Sequence, residues 1–149
     1  MKHLILKQIQ ERLEKRLQKL EASINDLQNQ VLGSSHAMQS WSDTSRSQFR
    51  GVIAKLQPRA EKIKECLRKI AEIDTEKKYN SIEIGALIKT NDSWYFLGPA
   101  GVGAESIEIN GISITTISII SPLGKNLKGK KQGQEINFNK ERIKIEEII

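Results

Sequence analysis

The sequence predicts an α+β protein in which an N-terminal antiparallel helical hairpin, a coiled coil, precedes a small antiparallel β-sheet domain with one short helix. Three observations support this prediction. Apolar residues recur every three or four positions in the first half, a Gly-Ser-Ser segment interrupts that pattern, and alternating apolar residues replace it after Tyr79. We therefore divide the 149 residues into a helical hairpin at 1–78 and a sheet domain at 79–149.

The hairpin is predicted from two apolar seams, each of which would lie along one face of a helix. The first seam consists of Leu6, Ile9, Leu13, Leu17, Leu20, Ile24, Leu27 and Val31. The second consists of Phe49, Ile53, Leu56, Ala60, Ile63, Leu67 and Ile70. Pro58 lies inside the second seam and indicates a kink or a restart of the helix. We favour the kink because the seam keeps its phase across the proline.

The second half of the chain has the period of a sheet. Strands are predicted at residues 82–88, 94–96, 107–109, 112–120, 135–138 and 142–148. Asn110-Gly111 is a pair favoured in tight hairpin turns and would join the third strand to the fourth. Pro122 would open a short helix over residues 122–128.

Charge is unevenly distributed between the two halves. The net charge is +6, and residues 1–79 carry 16 Lys and Arg against 10 Asp and Glu, whereas residues 80–149 carry 8 against 8. The basic residues singled out in the hairpin are Arg12, Lys15, Arg16, Lys19, Arg46, Arg50, Lys55, Arg59 and Lys62. They are interpreted either as a solvated helix face or as a surface that faces RNA or an acidic partner.

Several classes of protein are disfavoured by the composition. The chain has no run of about 18 apolar residues, and its start is interrupted by Gln8 and Gln10, so neither a membrane span nor a signal peptide is expected. The single Cys66 cannot form an internal disulfide and has no partner at zinc-ligand spacing, so we predict a cytoplasmic protein without a metal site. Residues 124–131 come close to a phosphate-binding loop, but Lys131 replaces the hydroxyl residue that Mg²⁺ requires there.

Residues 119–133, Ile-Ile-Ser-Pro-Leu-Gly-Lys-Asn-Leu-Lys-Gly-Lys-Lys-Gln-Gly, resemble the signature of the C-terminal domain of the Gre family of bacterial transcription elongation factors. The matching residues are Ser121, Pro122, Leu123, Gly124, Leu127, Gly129, Lys130 and Gly133. The resemblance extends over the chain through the order of helical hairpin, short linker and FKBP-like sheet domain.

This resemblance implies a factor that docks through its C-terminal domain on RNA polymerase, at the rim of the secondary channel, and inserts its hairpin towards the active centre. The expected docking residues are Ser121, Pro122, Leu123, Lys125 and Lys130. Nascent RNA or DNA would be met only through the polymerase complex, no membrane would be involved, and the protein would be a monomer. No cofactor of its own is implied, although a Mg²⁺ ion would be shared with the polymerase active site. The factor would assist RNA cleavage without itself being an enzyme.

The hairpin tip departs from the family pattern. Where the family has Asp-Leu-x-Glu-Asn-Ala-Glu, this chain has Ser-Trp-Ser-Asp-Thr-Ser-Arg at residues 40–46. Asp43 is the one acidic residue left and is the candidate catalytic carboxylate; the predicted tip also contains Ser40, Trp41, Thr44 and Arg46. The alternative for Asp43 is an N-cap of the second helix, because its oxygens accept the N–H groups of a first turn.

Two functions follow from these residues as expectations. The first is a Gre-like elongation factor that modulates elongation or stimulates cleavage of backtracked RNA. The alternative is a non-catalytic coiled-coil adapter, or an inhibitor that occupies the secondary channel without cleavage activity. A direct nucleic-acid binder would instead show steeply salt-dependent affinity for RNA or DNA in the absence of polymerase.

Overall fold

The structure is a computed structural model that describes the backbone of residues 1–33 and 39–149 and the side chains of residues 1–31 and 45–149. Helices α1 (Lys2–Gly33) and α2 (Gln39–Ala71) come first. The remaining elements are β1 (Leu87–Thr90), β2 (Trp94–Gly98), β3 (Ser106–Ile109), β4 (Ile112–Ser118), α3 (Pro122–Leu127), β5 (Glu135–Phe138) and β6 (Glu141–Ile148). The predicted α+β class, with two long helices ahead of a sheet that carries one short helix, is confirmed.

The described chain divides into two compact units. One consists of Glu11–Glu65, and the other consists of Met1–Gln10 together with Cys66–Ile149. The first turns of α1 and the last turns of α2 therefore belong to the unit that contains the sheet. The domain limits predicted at residues 78 and 79 stay a prediction.

In the unit Glu11–Glu65 the two helices run antiparallel. The Lys64 ammonium lies 3.5 Å from the Glu21 carboxylate, which joins an early position of α1 to a late position of α2. A groove of about 360 Å³ joins late positions of α1 to early positions of α2, since it is lined by Gln28 and Val31 of α1 and by Arg50 and Ile53 of α2. Residue numbers therefore increase along α1 while those of the neighbouring residues on α2 decrease. This antiparallel arrangement confirms the predicted hairpin.

Helix α2 continues through Pro58, so the helix does not restart there. A proline has no N–H to donate, and the carbonyl of Ala54 therefore loses its usual helical partner. Pro58 is exposed, which lets water hydrate this carbonyl at low cost. The helix can consequently tolerate the proline on its solvent side.

Lys2 ties the start of α1 to the segment that follows α2. Its side chain is only 7% exposed, its Nζ donates to the Lys77 carbonyl at 3.0 Å, and the ammonium lies 4.7 Å from the centroid of the Tyr79 ring. Burial lowers the pKa of the Lys2 ammonium, and the carboxylates of Asp74 and Glu76 oppose that shift. A carbonyl and an aromatic face compensate the buried charge, so Lys2 stabilises this junction.

The six strands found in the described residues form one sheet in the order β3-β4-β2-β1-β6-β5. Neighbouring strands are antiparallel except β2 and β4, which pair in parallel with Phe96 opposite Thr116. The prediction of an antiparallel sheet is therefore wrong at this pair. The reason is the connection from Pro99 to Gly111, which contains β3 and is long enough to return the chain in the same direction.

The first strand is shorter than predicted, because β1 begins at Leu87 and residues 82–86 lie outside it. The main chain of Ile82 is paired elsewhere: its N–H donates to the Lys130 carbonyl at 2.8 Å, and its carbonyl accepts from Gly129 at 2.7 Å. Gly85 has φ +95°, a left-handed conformation that ends extended structure. The alternation of apolar residues reflects burial of Ile82 rather than a continuous strand.

Both faces of the central strands are buried. One face contributes Ile88, Leu97 and Ile117 to a core cluster that Leu127 of α3 completes. The opposite face carries Leu87, Phe96, Ile107 and Ile114, all fully buried. In the same unit, the Gln8 amide of α1 donates to the Glu108 carbonyl of β3 at 3.4 Å. The sheet is thus the middle layer of its unit, with α3 on one side.

The turn between β5 and β6 contains Lys140, whose backbone strain can be relieved by substitution. Asn139 and Lys140 have φ values of 50° and 66°, the pattern of a two-residue hairpin turn that favours Asn-Gly. We expect Lys140→Gly to raise the free energy of unfolding by about 0.5–1 kcal/mol, because glycine adopts positive φ without steric cost. Urea unfolding followed by circular dichroism measures this.

Two controls separate backbone strain from loss of the lysine charge. Lys140→Ala removes the charge but keeps a Cβ, so it should not stabilise the protein. Gly111→Lys places the strained residue in the corresponding position of the β3–β4 turn, where Gly111 has φ +78°, and should destabilise by a similar amount. Equal stability of Lys140→Gly and Lys140→Ala would contradict the argument.

Candidate protein-docking surface

The predicted docking residues lie on a rigid turn and helix at the end of β4. Ser118 and Ser121 bracket a β-turn, since the Ser121 N–H donates to the Ser118 carbonyl at 3.0 Å. The Ser121 hydroxyl donates to the same carbonyl at 2.7 Å and accepts from the Gly124 N–H at 3.0 Å. Ser121 is therefore the N-cap of α3, and Pro122 occupies the first helical position as the sequence predicts.

Gly124 is the closest approach between α3 and β4. A Cβ built on this residue would overlap the Ser118 carbonyl oxygen, and it would lie 3.0 Å from the Ser121 hydroxyl oxygen. Glycine is needed here for space, since its φ is not in the left-handed region. The sequence shows the glycine, but only the packing of α3 against β4 gives the reason for it.

The segment after α3 is anchored to the rest of its unit. Lys128 caps the helix, and Gly129 then adopts φ +79°, a left-handed conformation that is common where helices end. Gly133 has φ +88° and donates its N–H to the Ile145 carbonyl at 2.8 Å. Both ends of the turn and helix are thus hydrogen-bonded to strands or to Ile82, which makes the surface between them rigid.

The structure separates the five predicted docking residues by exposure. Pro122 and Lys125 are exposed and available to a partner, while Lys130 is half-buried. Leu123 packs against the core cluster, and Ser121 is half-buried, with its hydroxyl used in the cap. Only part of the predicted set therefore faces outward.

Ile120 is not among the predicted docking residues, yet it is 62% exposed, the largest exposed fraction among the exposed large apolar side chains of the described residues. It lies in the turn directly before Ser121 and Pro122. The sequence assigned Ile120 to the strand predicted at residues 112–120, but β4 ends at Ser118 and Ile120 lies in the turn that follows.

The charge of this surface has one sign. Residues 119–134 contain four lysines and no aspartate or glutamate. Lys125, Lys128 and Lys131 are exposed. We call the exposed residues Ile120, Pro122, Lys125, Lys128 and Lys131 the α3 surface. It is apolar at one end and basic over the rest, as a surface that meets an acidic protein would be.

The hairpin carries a second basic surface. Arg12, Lys15, Arg16 and Lys19 follow the spacing of one side of α1, and the last three are exposed. Arg50, Lys55, Arg59 and Lys62 of α2 are exposed as well. The acidic Glu21 and Glu61 lie beside Lys64, in ion pairs of 3.5 and 3.3 Å. Exposed basic residues therefore occur on both helices.

The predicted hairpin tip lies mostly outside the described side chains. The backbone of Ser40, Trp41, Asp43 and Thr44 belongs to α2, and Arg46 is half-buried. Because α2 begins at Gln39, Asp43 is inside the helix and the alternative of an N-cap at Asp43 is wrong. The role of Asp43 as a tip carboxylate stays a prediction.

The described residues outside the tip offer little other chemistry. They contain no group of three or more His, Cys, Asp and Glu side chains placed to hold a metal ion. Cys66 is buried, and burial raises the pKa of its thiol, which keeps it protonated and unreactive. In the part of the chain that the structure describes, no helix is both long and apolar enough to cross a bilayer.

No protein-family model matches the chain, and no curated protein matches it. Among solved structures, the chain is similar to GreA factor homolog 1 (Gfh1) of Thermus thermophilus, with 21% sequence identity, 97% of this chain and 92% of that chain covered, and a TM-score of 0.37. A second structure, of the transcription factor Gfh1, has 18% identity, 93% and 92% coverage, and a TM-score of 0.36. Both are Gre-type proteins by name. Because both TM-scores are low, the function proposed below rests on the residues of this chain.

Proposed function

We propose that this protein is a Gre-like transcription elongation factor that binds bacterial RNA polymerase at its secondary channel and modulates elongation. The observation that carries the proposal is the α3 surface. The turn, N-cap and helix that present this surface are formed by the segment that resembles the Gre signature. The same chain contains a pair of antiparallel helices of 32 and 33 residues, which supply an elongated basic element. The protein acts on RNA through the polymerase and is not itself an enzyme.

The two basic surfaces support separate roles for the two units, docking for one and insertion for the other. The α3 surface is rigid and belongs to the unit with the sheet, which suits docking. The basic residues of the other unit lie along an exposed pair of helices, which suits insertion into an acidic or RNA-containing channel. Each function needs a different surface, and the chain has both.

We expect the protein to be retained on immobilised bacterial core RNA polymerase at low salt and released as salt is raised, because lysine contacts to carboxylates are screened. Retention should be lost when Lys125, Lys128 and Lys131 are all replaced by glutamine. The matched control replaces Lys140, Lys144 and Lys89 by glutamine, which removes the same charge elsewhere in the unit. Failure of the unaltered protein to bind polymerase at low salt would contradict the proposal.

Cleavage of backtracked RNA is the finer part of the proposal and depends on Asp43. A stalled, backtracked elongation complex is incubated with the wild-type protein or with Asp43→Ala. RNA cut only with the wild type would assign Asp43 as a carboxylate that helps to hold the polymerase Mg²⁺. Binding without cleavage would instead make the protein a channel-occupying regulator, because one carboxylate near Arg46 holds a cation weakly.

One observation favours the adapter as a second candidate. In the unit Glu11–Glu65 the seam residues Leu17, Leu20, Leu27, Ile53, Leu56 and Ile63 are only half-buried. A further helix laid along this seam would bury more apolar surface. Sedimentation at increasing concentration tests the self-associating version, which predicts a rise in mass that a monomeric factor does not show.

A further inference from the structure

We infer that Ile120 is the anchor of the α3 surface and that its partner site is an acidic protein surface with an apolar pocket. The inference rests on the proposed function, since the partner is taken to be bacterial RNA polymerase. It goes further by assigning the residue that determines recognition and the chemistry of the surface that receives it.

The position of Ile120 within its turn is the first argument. The turn is closed by the 3.0 Å hydrogen bond from the Ser121 N–H to the Ser118 carbonyl, so Ile119 and Ile120 are its two central residues. Central turn positions favour glycine, asparagine, aspartate, serine or proline, because their backbones or short polar side chains suit the turn. A β-branched apolar residue there opposes the local preference. Such conflicts in a natural sequence concentrate at functional sites.

Exposure is the second argument. A single exposed apolar side chain on a protein surface is ordinary and needs no explanation. Ile120 differs because its neighbour Ile119 packs against the core cluster while Ile120 is 62% exposed and lies two residues before the exposed Pro122. The turn therefore places one isoleucine inside the protein and presents the other to solvent.

Rigidity is the third argument. The Ile119 N–H donates to the Gly98 carbonyl at 3.0 Å, and the Ser121 hydroxyl joins Ser118 to Gly124. An isoleucine side chain has few rotamers, so little conformational entropy is lost when it enters a pocket. Preorganised apolar residues of this kind make effective anchors at protein interfaces.

Charge selects a protein as the occupant. Lys125, Lys128 and Lys131 follow the anchor in sequence and are exposed, and residues 119–134 contain no carboxylate. A nucleic-acid backbone would satisfy the lysines but offers no pocket for an aliphatic side chain, and no aromatic residue lies in this segment to stack on bases. An apolar pocket rimmed by aspartate and glutamate satisfies both parts of the surface.

The substitution Ile120→Asn tests the inference, because it should weaken binding without lowering stability. Asparagine suits a central turn position, so the free energy of unfolding should stay the same or rise. Affinity for core polymerase, measured with fluorescently labelled full-length protein, should fall roughly tenfold or more, mainly through faster dissociation. The control is Ile149→Asn, which alters another exposed isoleucine of the same unit, 37% exposed, and should leave affinity unchanged.

The outcomes separate the inference from the proposed function. If wild type and Ile120→Asn bind polymerase equally, the anchor is overturned while the proposed function stands. If wild type does not bind polymerase, both are overturned. Polymerase-free binding of RNA oligonucleotides that depends on the three lysines and ignores Ile120 would also overturn the inference. A selective loss of affinity with stability retained supports it.

Discussion

Gly124→Ala should destabilise the protein by about 3 kcal/mol, because the new methyl group meets backbone rather than a movable side chain. The Cβ would overlap the Ser118 carbonyl oxygen, which already accepts hydrogen bonds from the Ser121 N–H and hydroxyl. To relieve the overlap, α3 must move away from β4. That movement would also weaken the Ser121 cap, which contributes about 1 kcal/mol in a typical helix.

The matched control is Gly51→Ala, the same chemical change with the opposite sign. Gly51 lies inside α2, and a Cβ built on it has nothing within 4 Å. Alanine is favoured over glycine in a helix by about 1 kcal/mol, so this variant should be stabilised. Urea unfolding of both variants measures the difference. Similar stabilities for the two variants would show that α3 does not pack against β4 as described.

Phe96→Ala should cost about 3–5 kcal/mol, the usual range for a fully buried phenylalanine. Phe96 is 0% exposed and lies on β2, with Leu87 of β1 and Thr116 of β4 directly beside it in the sheet. Removal of the ring leaves a cavity beside the parallel pair of β2 and β4, which lies inside the sheet. We expect a lower urea midpoint and, at physiological temperature, partial unfolding of the sheet unit.

Phe138→Ala is the control for Phe96→Ala, because it removes the same ring from the strand at the edge of the sheet. Phe138 is half-buried on β5, which is the last strand in the order of the sheet and pairs with β6. Less apolar area is lost, so we expect a cost of roughly 1–2 kcal/mol. An equal cost for both variants would place the centre of the core elsewhere than at β2.

Local sequence patterns predicted the elements that depend on neighbours along the chain. The three-and-four spacing of the seams predicted both long helices, and Pro122 predicted the start of α3. Asn110-Gly111 predicted a turn whose φ values are 51° and 78°. These patterns succeed because caps, tight turns and helix faces are determined within a few residues.

The candidate site was predicted only in part. The motif at residues 119–133 located the α3 surface and two of its exposed residues, Pro122 and Lys125. It did not show that Leu123 packs inward or that Ile120 points outward. Adjacent isoleucines in a turn have the same apolar character, and only the packing of the turn decides which one contacts the core.

The sequence alone determined that two amphipathic helices precede a sheet, that the positive charge is concentrated in the first half, and that a short helix opens at Pro122. The tertiary structure alone decided the parallel pairing of β2 with β4, the late start of β1 at Leu87, and the burial of Lys2 against Tyr79. It also decided the exposure of Ile120. The physical reason is range: helix faces, caps and turns depend on residues close in sequence, whereas strand pairing and burial depend on segments that meet only after the chain folds.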